Sequence, residues 1–176
     1  MLDVSKYYLH TGIEYNKAEQ LTNFINNEAI WAWEPNFYVC QNFKLESIAK
    51  LFNDEFLNSA INEFGGFLSL YKIPARCMYH WHRDGRQMWG IQMVLDNFNS
   101  YTLFEDRTEN EGRLRYVNEL VYKPREWVIF NTQELHAVIN LDHRDRILIT
   151  YRLKAETPNK RSYQEVVKWF NETYKS

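Results

Sequence analysis

Cysteine is scarce in this 176-residue sequence: Cys40 and Cys77 stand far apart and form no C-x-x-C pair. That excludes a disulfide framework and a thiolate zinc site, and leaves two buried free thiols as the expectation. With six glycines and four prolines there is no linker-like run, and no internal repeat or low-complexity segment divides the chain. No apolar run approaches the roughly 20 residues that span a bilayer. The start, MLDVSKYYLHTGIEYNK, has neither the apolar centre nor the small-residue cleavage site of a signal peptide, so a cytoplasmic protein with no membrane partner is expected. Charge of one sign is also lacking, the net charge being −2. Residues 1–66 carry 4 Lys/Arg against 9 Asp/Glu and residues 67–154 carry 13 against 11. That mild central excess suits a small anionic ligand and is too weak for nucleic acid. Nor is there a G-x-x-x-x-G-K-[ST], a G-x-S-x-G or an H-E-x-x-H.

What is present reads as one domain over 1–176. Lys17 to Glu28 places Ala18, Leu21, Phe24 and Ile25 on one helical face, with Asn16 as cap. Leu45 to Phe64 repeats the pattern and is stopped by Gly65-Gly66, so residues 1–66 are expected to form a helical N-terminal part packed outside a sheet. From Phe67 to residue 154 the period changes to strand-like segments: FLSLYKI, ARCMYHWH, MWGIQMVL, YTLFE, LRYVNELVY, WVIF, LHAVIN and RILITYRL. Turn chemistry separates them, and a capping box at Ser162 to Glu165 opens a last helix within 155–176. The fold class is α+β with a mainly β core, a compact sandwich or barrel.

The chemistry lies in His82-Arg83-Asp84, then His136, then Arg146. Strand alternation puts Met78, His80, His82 and Asp84 on one face, and a later His completes a 2-His-1-carboxylate facial triad that leaves coordination positions open. A His-x-acid doublet alone is weak, and His143-Arg144-Asp145 is a second copy. It falls in a charged turn with no His beyond it, so a structural role is assigned there. Arg146 lies ten residues after His136 on the next strand, where a guanidinium clamps a carboxylate in bidentate fashion. Arg152 is the lower-ranked substitute, and a surface ion pair with Asp142 or Asp145 suits Arg144 better than Arg146.

The stretches HRDGRQMWGIQMVLDN and WVIFNTQELHAVINLDHRDRILITYRL resemble the iron(II)/2-oxoglutarate-dependent oxygenases, in particular the aspartyl/asparaginyl β-hydroxylase-like family with its proline hydroxylase relatives, over about residues 76–153. The resemblance implies a double-stranded β-helix (jelly roll, cupin-like). It implies iron held by His82, Asp84 and His136 as the catalytic centre, and the distal carboxylate of 2-oxoglutarate held by Arg146. Gln92 replaces a His of that family as a cosubstrate contact, and Arg86 is assigned the charge lost there. The implied cofactors are Fe(II), 2-oxoglutarate and dioxygen, with ascorbate as a stimulant. The implied outcome is hydroxylation of an amino acid or peptidyl side chain, with release of succinate and CO2.

His80-x-His82 with His136 and Asn140 also resembles pieces of cupins, which would change the ligand set and keep the fold. The alternative function is accordingly a non-catalytic or cupin-like metal- or ligand-binding β-sandwich. Of the many aromatics, Trp89 and Tyr101 are candidates for a substrate wall, whereas Val94 and Phe130 read as core.

Overall fold

The computed structural model describes residues 4–43, 54–84, 88–106, 116–152 and 161–175. In chain order the elements are β1 (Tyr8–Glu14), α1 (Ala18–Asn27), β2 (Trp31–Glu34), β3 (Phe37–Cys40), α2 (Glu55–Phe64), β4 (Phe67–Ile73), β5 (Cys77–His82), β6 (Gly90–Val94), β7 (Ser100–Asp106), β8 (Tyr116–Leu120), β9 (Glu126–Phe130), β10 (His136–Asn140), β11 (Arg146–Arg152) and α3 (Tyr163–Tyr174). A major sheet runs β1-β9-β6-β11-β4-β3-β2 and a minor sheet runs β5-β10-β7-β8, with antiparallel pairing throughout. From β4 onward the chain passes back and forth between the sheets, which is the winding of a double-stranded β-helix.

Period-two alternation assigns the two faces of the major sheet different surroundings. Leu68 and Leu70 of β4, Ile91 and Met93 of β6, Trp127 and Ile129 of β9, and Ile149 and Tyr151 of β11 pack with the apolar faces of the helices. The helices contribute Leu21 and Phe24, then Phe56, Leu57 and Ala60, then Val166 and Phe170. The opposite face turns toward the minor sheet, where Val128 and Phe130 join Tyr7, Phe104 and Leu120 in a second cluster. The space between the sheets thus has an apolar floor beside a more polar cleft.

Helix ends follow the local chemistry. Asp54 caps α2 by accepting from the Leu57 amide at 3.0 Å, a contact that stabilises by about 1 kcal/mol. The helix ends at Gly65 with φ 67°. At Gly66 (φ 102°) a Cβ would stand 2.5 Å from the Arg152 carbonyl, so no side chain fits. Ser162 and Glu165 form the expected capping box of α3.

Several expectations need correction. The first 66 residues are not only helical, since β1, β2 and β3 extend the major sheet at its two edges. Lys17, not Asn16, occupies the cap position of α1, and no side chain caps it. The expected helical residues 45–53, and Arg86, lie outside the described residues. Both cysteines are free, but only Cys40 is buried, Cys77 being half-buried. The β2–β3 hairpin had a signal in Pro35-Asn36: Asn36 has φ 79°, the left-handed second position of a tight turn that follows proline well.

Candidate metal and cosubstrate site

His82 ends β5 and His136 begins β10, and the two residues face each other in antiparallel register. Asp84 follows two residues after His82. Its amide donates to the Thr132 carbonyl at 3.0 Å, and its carbonyl accepts from Gln133 Nε2 at 2.8 Å. The turn before β10 is held in turn by Asn131, whose Nδ2 donates to the Lys6 carbonyl and whose Oδ1 accepts from the Gln133 amide. The segment carrying Asp84 and the segment carrying His136 are therefore tied by one backbone hydrogen bond and one from the Gln133 side chain.

One ligand atom from each of His82, Asp84 and His136 lies within 4.8 Å of the others. His82 Nε2 is 3.6 Å from Asp84 Oδ1, and the two imidazole centroids are 4.2 Å apart. Both rings meet a carbonyl two residues upstream through Nδ1: His82 to His80 O at 2.6 Å and His136 to Glu134 O at 2.8 Å. A carbonyl only accepts, so the ring proton sits on Nδ1 and each Nε2 keeps its lone pair, the tautomer a metal ligand needs. Burial, reinforced by neighbouring His82, pushes His136 down to about 4, which keeps it neutral near pH 7. Two imidazoles and one carboxylate on one side fit a divalent iron centre with open positions.

The face assignment on β5 differs from strict alternation. The register slips between His136↔His82 and Val138↔Tyr79, so three steps on β5 match two on β10. This bulge puts Tyr79 into the cleft with His82 and Asp84, its ring centroid 4.0 Å from that of His82. His80, expected on the ligand face, is exposed and outside the cleft lining.

The cleft has a volume of about 110 Å³ and is lined at the metal end by His82, Asp84 and His136. Gln92, Thr102, Arg146 and Thr150 line it from neighbouring strands. Arg146 is 0% exposed. Its Nη2 donates to Thr102 Oγ1 at 3.2 Å, and its guanidinium lies 4.9 Å from the Tyr122 ring centroid. Nε and Nη1 of Arg146, and Oγ1 of Thr150, have no hydrogen-bond partner among the described residues. A buried guanidinium with unsatisfied donors is costly unless an anion completes it, and a carboxylate matches its fork. Burial lowers the Arg146 pKa from its ordinary value, with Tyr122 opposing, and an arginine still stays charged near neutrality. Gln92 Oε1 accepts from the Tyr122 hydroxyl at 2.8 Å, which places the glutamine between that tyrosine and the cleft.

Other residues singled out in the sequence lie elsewhere. Trp89 is buried in the helix-facing core, its Nε1 donating to the Arg161 carbonyl, and Tyr101 hydrogen-bonds Asn99, so neither lines the cleft. Phe130, read as core, does line it, and Phe37, Tyr71 and Tyr79 supply the aromatic wall. Thr102 and Tyr122 escaped sequence reasoning because only the fold brings them to Arg146, and Thr150, on β11 itself, carries no motif that marks it. Asn140 is fully buried and donates to the carbonyls of Ile73, Pro74 and Arg144, so it holds the turn into β11.

No protein-family model and no curated protein matches this sequence. Solved structures do match. An oxidoreductase of the 2OG-Fe(II) oxygenase family from Burkholderia pseudomallei superposes with TM-score 0.57 at 12% identity, over 82% of this chain and 81% of that one. HygX from Streptomyces hygroscopicus, solved with nickel, 2-oxoglutarate and hygromycin B, gives 0.57 at 6% identity over 85% and 83%. A prolyl-4-hydroxylase from Pseudomonas putida gives 0.53 at 14% identity over 86% and 96%. At these identities the likeness is one of fold, the double-stranded β-helix.

Proposed function

We propose that this chain is an iron(II)- and 2-oxoglutarate-dependent dioxygenase that hydroxylates an amino acid or a peptidyl side chain. One observation carries the reading. A single cleft joins a two-imidazole, one-carboxylate cluster to a buried arginine whose Nε and Nη1 find no partner among the described residues. Such a cleft suits a dicarboxylate that meets a metal at one end and a guanidinium at the other. When bound, iron, 2-oxoglutarate and dioxygen supply the oxidising chemistry, yielding succinate and CO2 as a hydroxyl group enters a C–H bond.

The protein's own part is positioning. His82, Asp84 and His136 would hold the metal, their orientation fixed by the carbonyls of His80 and Glu134 and by the ties at Thr132 and Gln133. Arg146 would take the distal carboxylate, with Thr102 fixing its fork, and Gln92 would line the path between. The resemblance to the aspartyl/asparaginyl β-hydroxylase-like family supports this assignment through the motif in residues 76–153, and the fold of the 2-oxoglutarate oxygenases supports it independently.

Anaerobic titration of Fe(II) into the protein with 2-oxoglutarate tests the reading through the weak visible charge-transfer band of a chelated cosubstrate. A band that vanishes in Arg146→Ala, followed by succinate formation when dioxygen is admitted, is the expected result. A metal that binds without band or succinate would instead identify a cupin-like binding protein.

A further inference from the structure

β11 sends two arginines into the cleft from the same face, Arg146 and, six residues on, Arg152. At about 3.3 Å per residue their backbones stand roughly 20 Å apart along the strand. Arg146 answers to the cosubstrate in the reading above. Arg152 belongs to a different neighbourhood. It donates through Nη1 to the Tyr71 hydroxyl, and its guanidinium carbon lies 5.6 Å from the Tyr71 ring centroid.

Tyr71 continues an aromatic wall. Its centroid is 5.4 Å from that of Phe37, edge to face, and Phe37 is 5.5 Å from Tyr79, whose ring is 4.0 Å from His82. The wall thus leads from Arg152 to the metal end without a break. Asp84 is the one carboxylate among the described residues lining the cleft, and it belongs to the triad. Among the described residues, no acid of the lining other than Asp84 repels an anion brought to Arg152.

We propose that the substrate is a small carboxylate with an apolar side chain, an amino acid either free or at a peptide's C-terminus. Arg152 takes the carboxylate, and the side chain lies along Phe37, Tyr71 and Tyr79 with its C–H bonds toward His82. This rests on the oxygenase reading. An internal peptide position has no carboxylate to offer Arg152 and is disfavoured.

The test uses the full-length protein with Fe(II), 2-oxoglutarate and dioxygen, with succinate and a product one oxygen atom heavier as readouts. The probes are proline, leucine and phenylalanine, their carboxamides, and glycyl dipeptides ending in each residue. At least one acid should raise succinate above the substrate-free rate and its carboxamide should be poorer by about 10-fold or more, the loss of one charge-assisted contact. In Arg152→Gln acid and amide should become alike while the anaerobic band with 2-oxoglutarate persists. Dipeptides that outperform the free acids identify a peptide end as the source, and the reverse identifies a free amino acid. Carboxamides as active as acids, no probe active while the wild-type band is intact, or loss of the band in Arg152→Gln would each overturn the assignment. A wild-type protein that never shows the band overturns the oxygenase reading itself.

Discussion

The tripeptide His-Arg-Asp occurs twice in this chain, and the two copies have opposite fates. His82-Arg83-Asp84 leaves the end of β5 inside the cleft, where two of its side chains converge with His136. His143-Arg144-Asp145 occupies the turn between β10 and β11. There His143 is 80% exposed beside Asp142, Arg144 bonds Asp142, Asp96 and the Asn97 carbonyl, and Asp145 accepts from the Ala75 amide and pairs with Lys72. Three identical letters thus serve a candidate metal centre in one place and a turn in the other. The difference lies in what the fold brings opposite each copy: His136 faces the first, whereas loop backbone, carboxylates and the Phe98 ring face the second.

The largest expected contrast is in metal affinity. His82→Ala, Asp84→Ala or His136→Ala should weaken Fe(II) binding by more than the roughly 10–100-fold that losing a supporting hydrogen bond costs, whereas His143→Ala should leave it within about two-fold, as calorimetric titration under anaerobic conditions would show. Next comes the arginine pair on either side of Asp145. Arg146→Met should raise the concentration of 2-oxoglutarate needed for half-maximal charge-transfer absorbance by about 100-fold or more, the loss of a bidentate charged contact, and Arg144→Met should leave it unchanged. Stability should show the reverse preference. Asn140→Ala removes the donor to three carbonyls that tether the turn of the second copy, so urea denaturation should report a loss of about 2–3 kcal/mol with metal affinity of the folded fraction retained.

The smallest contrast is in pH dependence. His136 sits near 4 in the folded protein and near 6.5 when unfolded, so unfolding takes up protons between these values. Its contribution is complete above pH 6.5 and is lost as pH falls toward 4. The metal-free protein should lose stability across that window, and His136→Gln should flatten the slope whereas His143→Gln should not. Asp142, held well below the usual carboxylate range by the Asn99 amide and Arg144, adds its own loss only under more acidic conditions.

The β core was legible because alternation of apolar residues is strong where one face meets helices and the other meets a second sheet. All eight segments from FLSLYKI to RILITYRL contain strands. β1, β2 and β3 were not, because the partly exposed strands at and next to the sheet's edge, such as WAWE and FYVC, carry little alternation. The residues His82, Asp84, His136 and Arg146 could be singled out by type and spacing and Gln92 through the family resemblance, and the fold puts all five in one cleft. Tyr122, Thr102 and Phe37 come from segments remote in sequence, so nothing local announces them. Tyr79 was placed on the wrong face because a bulge cannot be read from period two.

That bulge is one surplus residue on β5, which makes the strand tolerant of change in length as well as in composition. Trp81 is half-exposed and contributes little packing, so its replacement should be tolerated. Its deletion would leave two steps on β5 against two on β10, a regular ladder in which Tyr79 and His82 still share the cleft face. Among diverged relatives of this chain, a one-residue gap between Tyr79 and His82 would therefore mark a bulge lost and a ring pair kept.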